Sequence, residues 1–361
     1  MSTSMDQDLE EVRLLDAEGS AVEDARYSLP HLDELLDRYR SMVVGRRIND
    51  QAGALVRQGR LAVYPSSHGQ EACQVAAAAV LRPGDWLFPT YRDVVAVIER
   101  GVDAVEVLSW LKGDWHCSYD THAHHVAPQS TPLATQLLHA VGVGHAARLK
   151  GEDTVVMALC GDGATSEGDF HEALNFAAVF KAPVVFLVQN NKYAISVPLA
   201  RQSAAPSLAH KGIGYGVPAV LVDGNDVAAL CAVLSEAVTR AAAGHGPTLV
   251  EADTYRVLAH TNADDPTRYR SDDEVREWQL RDPLTRVRTY LRTQGALDDA
   301  GEAEITAQAE AMAAQLRHGM SEGPPPSPDL LFEHVFASPT PQLRAQRDLL
   351  REELAAEDVT R

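Results

Sequence analysis

A carboxylate and an amide, each at the end of an apolar run, form the pair in this sequence best suited to a small cation. Asp162 lies in Gly161-Asp162-Gly163, and Asn191 closes Asn190-Asn191. With a backbone carbonyl nearby, their oxygens suit a hard ion such as Mg²⁺, which fills its other positions with water and substrate phosphates. Three further stretches could act on an anion beside it. Tyr91-Arg92 offers a hydroxyl and a guanidinium fork that matches phosphate oxygens, against the plainer reading of a surface ion pair. Ser130-Thr131-Pro132-Leu133-Ala134-Thr135-Gln136 sets hydroxyl and amide oxygens around a helix start, where an ordinary Ser/Thr cap is the simpler role. Residues 255–270 mix Arg and Asp around His260, and by composition they read as a solvated loop. His116, Cys117, His122, His124 and His125 invite a zinc reading, but no usual spacing is matched and a second nearby Cys is missing.

The elements around the central pair decide whether it can meet. Val155 to Cys160 is apolar, short and rich in β-branched residues, as a strand buried on both faces would be. Ser166 and Asp169 have capping-box-like spacing, and Phe170, Ala173, Leu174, Ala177 and Ala178 follow at helical spacing up to Pro183. Val184 to Val188 is a second buried strand, stopping at Asn190-Asn191. This strand–turn–helix–strand unit predicts two parallel strands joined by a right-handed crossover. If the strands are neighbours, Asp162 and Asn191 share a crevice at the carboxyl edge of the sheet, with a helix start beside them that favours anions.

A chain of 361 residues can bury a large core, and its net charge of −19 argues against a nucleic-acid or acidic-membrane binder. Four scattered cysteines suit a reducing compartment, and neither a membrane-length apolar run nor a signal-peptide pattern is seen, so a cytoplasmic enzyme subunit is expected. Residues 1–27 read as a largely disordered acidic tail. Residues 28–322 read as one α/β domain with a mostly parallel sheet. Helices are expected over Leu29–Gln58, after Ser67-His68-Gly69-Gln70-Glu71, over Val94–Leu111, from Leu133 to about Lys150 and over Asp226–Ala243. Short strands are expected at Trp86–Phe88, Ala219–Val222 and Thr248–Ala252. Residues 323–361 read as a Pro-rich spacer and a helical extension.

GDG followed, one helix and one strand later, by NN looks like the thiamine-diphosphate signature. GDGATSEGDFHEALNFAAVFKAPVVFLVQNN is similar to the α-subunit of the decarboxylating component of 2-oxo acid dehydrogenase complexes, over roughly residues 40–345. The separate stretches SxPLATQ and HxxxDDPTRYR resemble the same family. The resemblance implies the thiamine-diphosphate-binding fold and decarboxylation of a 2-oxo acid, with acyl transfer to a lipoyl group on a partner acyltransferase. It implies cofactor contacts from Tyr91, Arg92, Thr131, Leu133, Gly161, Asp162, Gly163, Ala164, Gln189, Asn191, Tyr193 and His260. Mg²⁺ would sit on Asp162, Asn191 and Tyr193, and K⁺ on Ser130, Pro132, Thr135 and Gln136. His260 and His125 would be the catalytic histidines, with His124 the alternative match for the second. Arg256, Asp264, Asp265 and Arg270 would hold the loop.

The family also needs a glutamate on the cofactor's aminopyrimidine, which a separate β-subunit supplies, so an α₂β₂ heterotetramer is expected. Two positions depart from common patterns. Lys192 stands where many relatives have Gly and is expected to point outward; Gln189 replaces an Arg of some branched-chain members. Kinase-regulated members carry a phosphoserine after the histidine; here the position is Thr261. SxPLATQ leans towards branched-chain 2-oxo acids, while Gln189 and DDPTRYR lean towards pyruvate; acetoin is a third substrate. A Rossmann NAD dehydrogenase is disfavoured because GxGxxG is missing at the strand–helix junction. A silent Mg-nucleotide subunit would leave Tyr91-Arg92 and His260 without a role.

Overall fold

The computed structural model describes residues 9–113, 117, 119–321, 327–333 and 335–360. Its frame is a five-stranded sheet in the order β1-β2-β3-β7-β6, with every neighbouring pair parallel. The strands are β1 (Trp86–Phe88), β2 (Val156–Gly161), β3 (Val184–Asn190), β6 (Ala219–Asp223) and β7 (Thr248–Asp253). A small antiparallel ribbon, β4 (Tyr193–Ala194) with β5 (Val197–Pro198), follows β3 directly. In the first half the helices are α1 (Leu32–Arg57), α2 (Glu71–Ala79), α3 (Val94–Glu99), α4 (Ala104–Ser109), α5 (Thr121–His124), α6 (Thr135–Lys150) and α7 (Gly168–Phe180). In the second they are α8 (His210–Gly214), α9 (Val227–Ala242), α10 (Asp272–Gln279), α11 (Pro283–Thr293), α12 (Asp299–Gly319), α13 (Leu330–Glu333) and α14 (Pro341–Thr360). The fold is the α/β architecture expected from the sequence, a parallel sheet with helices on both faces.

Side-chain alternation along the central strands builds two cores. Met157, Leu159, Val185 and Leu187 face one way, into a cluster with Leu35, Met42, Val75 and Leu230. Val156, Ala158, Cys160, Val184, Phe186 and Val188 face the other way, against Leu137, Ala140, Phe170 and Leu174 of α6 and α7. Both strands are therefore apolar until their last residues, Gly161 in β2 and Gln189-Asn190 in β3. Packing on both faces fixes where β2 and β3 end, and their carboxyl ends carry Asp162 and Asn191.

Several boundaries differ from expectation. The acidic segment expected to be disordered is ordered from residue 9, whereas residues 1–8 lie outside those described. Val12 bridges to Val222 at the sheet edge, and Leu14 and Leu15 are buried. Asp226 Oδ2 accepts both of their amides at 2.7 Å, and Arg13 pairs with Asp223, so the order comes from distant partners and leaves no local periodicity. The helix expected over Val94–Leu111 is two helices split at Gly101, with Asp103 capping the second and a 3₁₀ turn at 110–112. The Ser166/Asp169 capping box does not form. Residues 162–166 make a 3₁₀ turn, α7 starts at Gly168, and Asp169 instead accepts a bond from Thr135. The loop expected over 255–270 includes a 3₁₀ turn at 266–268, and α10 starts just beyond it at Asp272. Most of the Pro-rich spacer lies outside the described residues.

Candidate active site

β2 and β3 are neighbours, with Gly161 beside Gln189, so Asp162 and Asn191 do open onto one cleft. It has a volume of about 150 Å³. Tyr91, Arg92, Ser130, Pro132, Leu133, Gln136, Gly161, Asp162, Gly163, Ala164, Gln189, Asn191, Tyr193 and His260 border it. Thr131 lies next door, in an apolar groove that shares Tyr91, Leu133 and His260 with the cleft.

The cation pair meets closely. Asn191 Oδ1 is 3.2 Å from Asp162 Oδ1 and 3.1 Å from the Tyr193 carbonyl oxygen. Asn191 Oδ1 accepts one long bond from the Tyr193 amide at 3.4 Å, and Asn191 Nδ2 donates to Gln70 Oε1 at 3.1 Å. Turning the amide over would let nitrogen satisfy both oxygens in the free chain; a small cation would hold it as it stands. Asp162 is buried, which pushes its carboxyl above the usual carboxylate range. An unneutralised buried carboxylate is costly, so the position gains most from a cation. The Tyr193 carbonyl is set by its neighbours: Lys192 and Ile195 both have positive φ, at 76° and 56°. A β-branched residue in that region is strained, and it closes the ribbon that turns the Tyr193 carbonyl inward. Gly163 passes so close to Ala194 that an added Cβ would meet it at 2.8 Å.

The second group gathers basic and neutral donors. Arg92 Nη1 donates to the Ser66 carbonyl at 2.7 Å, and Nη2 reaches His260 Nδ1 at 3.1 Å. A guanidinium can only donate, so Nδ1 accepts and the imidazole proton sits on Nε2. Burial first, then the positive charges of Arg92 and Arg256, push the His260 pKa down to about 4. The ring is neutral at physiological pH and keeps one N–H donor. Its backbone is held by Asp264, whose Oδ2 accepts the His260 amide at 2.8 Å. Arg256 donates to the Tyr193 and Ile195 carbonyls and to the Tyr269 hydroxyl, Arg270 donates to the carbonyls of Arg256 and Val257, and Asp265 caps the 3₁₀ turn. The four expected loop-holding residues all do so, mostly through backbone groups and not by pairing with one another.

Some expected residues lie away from the cleft or point otherwise than expected. His125 does not border the cleft: it has φ 51°, and its ring packs edge-on against Trp86 at 5.3 Å. Leu87 donates to its carbonyl at 2.9 Å, which ties it alongside the middle of β1. His124 does not border the cleft either. No cluster of three or more metal-ligating His, Cys, Asp or Glu side chains occurs among the described residues, and His116 lies outside them. Thr135 turns from the other three residues of its expected set to donate to Asp169 at 3.3 Å. Gln136 Nε2 donates to the Leu159 carbonyl, leaving a buried Oε1 without a partner, as an ion ligand would be. Lys192 does not point outward: it pairs with Asp253, lies 5.5 Å over the Trp278 ring, and burial lowers its pKa.

Three cleft contacts escaped sequence reasoning. Asp93 is fully buried and accepts from Gln189 Nε2 at 2.7 Å; its carboxyl is raised by burial. Gln202 donates to Asp162 Oδ2 at 3.0 Å, and Gln70 holds Asn191. Asp93 adjoins Tyr91-Arg92 and Gln70 precedes a helix, so both had a positional signal; Gln202 had none.

The same region carries the match to known proteins, since a family model described as dehydrogenase E1 component covers residues 39–325. The chain belongs to the dehydrogenase E1 component family. A 3-methyl-2-oxobutanoate dehydrogenase subunit alpha of Mycobacterium tuberculosis is 50% identical to this dehydrogenase chain over 355 residues, 98% of this chain and 97% of the relative. A pyruvate dehydrogenase E1 component subunit alpha of Staphylococcus aureus is 41% identical over 305 residues, 84% of this chain and 82% of the relative.

Proposed function

We propose that this chain is the α-subunit of a thiamine-diphosphate-dependent dehydrogenase for branched-chain 2-oxo acids of the 3-methyl-2-oxobutanoate type. The observation that carries the substrate class is 50% identity, over nearly the full length of both chains, to the relative of that name. The converging oxygens of Asp162, Asn191 and Tyr193 carry the cofactor class, because they fit Mg²⁺ with a diphosphate completing its shell. Thiamine diphosphate would supply the nucleophilic carbon and electron sink that decarboxylation of a 2-oxo acid needs. Arg92 and Tyr91 would take phosphate oxygens. Neutral His260 would donate from Nε2 to an anionic oxygen of diphosphate or substrate without carrying a charge itself. The unpartnered Oε1 of Gln136 supports a K⁺ site with Ser130 and Pro132, whereas the Thr135–Asp169 bond weighs against Thr135 as its ligand.

Among the residues that border the cleft the carboxylates are Asp93 and Asp162, and both are engaged by glutamines. A glutamate for the aminopyrimidine is therefore proposed to come from a β-subunit, in an α₂β₂ assembly that passes the acyl group to a lipoyl-bearing partner. The exposed Leu133 and Ile195 at the rim, 42% and 56% accessible, suit such a cover. The described helices include none long and apolar enough to cross a membrane, all four cysteines are free, and the cytoplasm is the compartment proposed.

Pyruvate is the second reading, supported by Gln189 in its bond to Asp93 and by the 41% identical relative. Co-expression with a β-subunit, added thiamine diphosphate and Mg²⁺, and an artificial electron acceptor separate the two. Faster turnover of 3-methyl-2-oxobutanoate than of pyruvate is expected; the reverse order reassigns the substrate, and an active isolated chain removes the two-subunit model.

A further inference from the structure

Gln70 has no part in the motifs that define the site, yet it is 1% exposed and borders the cleft. It is the N-cap residue of α2, and its side chain makes no capping bond. The backbone around it is clamped. Glu71 accepts the Gly69 amide at 2.8 Å and pairs with Arg46. Gly69, at φ 96°, sits where a Cβ would come within 2.5 Å of the Tyr255 carbonyl oxygen. Thr254 Oγ1 donates to the Gly69 carbonyl at 3.0 Å, and the Val257 amide to the His68 carbonyl at 3.2 Å. With the main chain fixed, the side chain has one bond, from Asn191 Nδ2 to Oε1, and a buried Nε2 without a partner. In the free chain both amides can turn over so that this nitrogen bonds Asn191; in the sense shown it is an unpaired buried donor, which costs roughly 1–3 kcal/mol unless a ligand brings an acceptor to the cleft.

We infer that Gln70 is a positioning residue for the cation and a direct donor to the bound anion. This rests on the functional reading above and extends it to a residue outside the signature. The two amides can bond in either sense. A cation on Asp162 selects the sense in which Asn191 presents Oδ1, and Gln70 must then accept through Oε1. That choice leaves Gln70 Nε2–H₂ free at the cleft, where a phosphate oxygen can accept it. One side chain thus couples metal and anion: each makes the amide orientation needed by the other more favourable.

The test uses this chain purified with its β-subunit and reads binding directly. Mn²⁺ affinity is followed by electron paramagnetic resonance at saturating thiamine diphosphate, and thiamine diphosphate affinity by calorimetry at saturating Mn²⁺. Gln70→Leu loses both bonds, and both affinities are expected to fall about 10–100-fold. Gln70→Glu keeps an acceptor for Asn191 and the side-chain volume, but turns an anion towards the phosphates. It is expected to hold Mn²⁺ as tightly as the wild type while weakening thiamine diphosphate at least about tenfold. A purely structural role would move both ligands together in Gln70→Glu, and that result overturns the inference. So does wild-type binding of both ligands by both variants. A wild-type complex that takes up neither ligand overturns the functional reading, and this inference falls with it.

Discussion

His260 and Asp162 are the residues whose protonation chemistry is most altered by their surroundings. His260 has a folded pKa of about 4 against an ordinary value of 6.5. Between those values the unfolded chain binds more protons, so this group lowers stability as pH falls through that window and has no effect above it. His260→Asn is expected to flatten the pH dependence of thermal unfolding between about pH 6.5 and 4, read by scanning calorimetry across that range. Asp162→Ala is expected to leave the fold intact and weaken Mg–thiamine diphosphate binding by about 100-fold or more, ~2.8 kcal/mol, in a calorimetric titration. At this scale the sequence exposed what lies next to a signature. Asp162, Asn191, Tyr91, Arg92 and His260 were all legible because each follows a strand end or sits in a dense motif. The position of His125 was the least legible, because a variable loop carries no periodicity to fix its register; its ring packs on Trp86 outside the cleft. Gln202 enters through a tertiary bond that leaves no spacing to read, and Asp93 is marked only by its place beside Tyr91-Arg92.

Buried strands and long helices were the easiest elements to read, since two-sided burial leaves an uninterrupted apolar run and helical burial leaves a repeat. The edge of β6 was harder: the segment that bridges to it, residues 12–15, is too short for a pattern and is held by Asp223 and Asp226, some two hundred positions away in sequence. Helix breaks at Gly101 and the 3₁₀ turn after β2 were likewise settled by packing and capping. The β3–β4 turn carries a prediction of its own. Lys192 is held at φ 76°, which glycine adopts freely, and its burial disfavours the charged ammonium despite the partner carboxylate of Asp253. Strain and desolvation act in the same direction, so Lys192→Gly is expected to stabilise the chain by about 1 kcal/mol, measured by chemical denaturation. A loss of stability would show that the contacts to Asp253 and Trp278 outweigh both.

For the whole molecule, the cleft, the ribbon and the loop at 255–270 all stand on the carboxyl rim of the sheet. Ile195 is strained, half exposed and at the ribbon's tip, which suits a residue whose conformation is completed by contact with a partner. Ile195→Asp is expected to weaken association with the β-subunit at least tenfold by analytical ultracentrifugation, with the isolated chain's melting temperature unchanged. The sheet's two outer strands bear on the same question of how copies of this chain meet. Val126 lies against Leu87 on one margin and Val12 against Val222 on the other, so neither margin offers a free row of amides and carbonyls along its whole length. A chain that must find a partner in a crowded cell while its apolar rim is still uncovered runs the hazard of joining its own kind strand to strand. Here that route is obstructed at both margins by a segment already bridged to the outer strand.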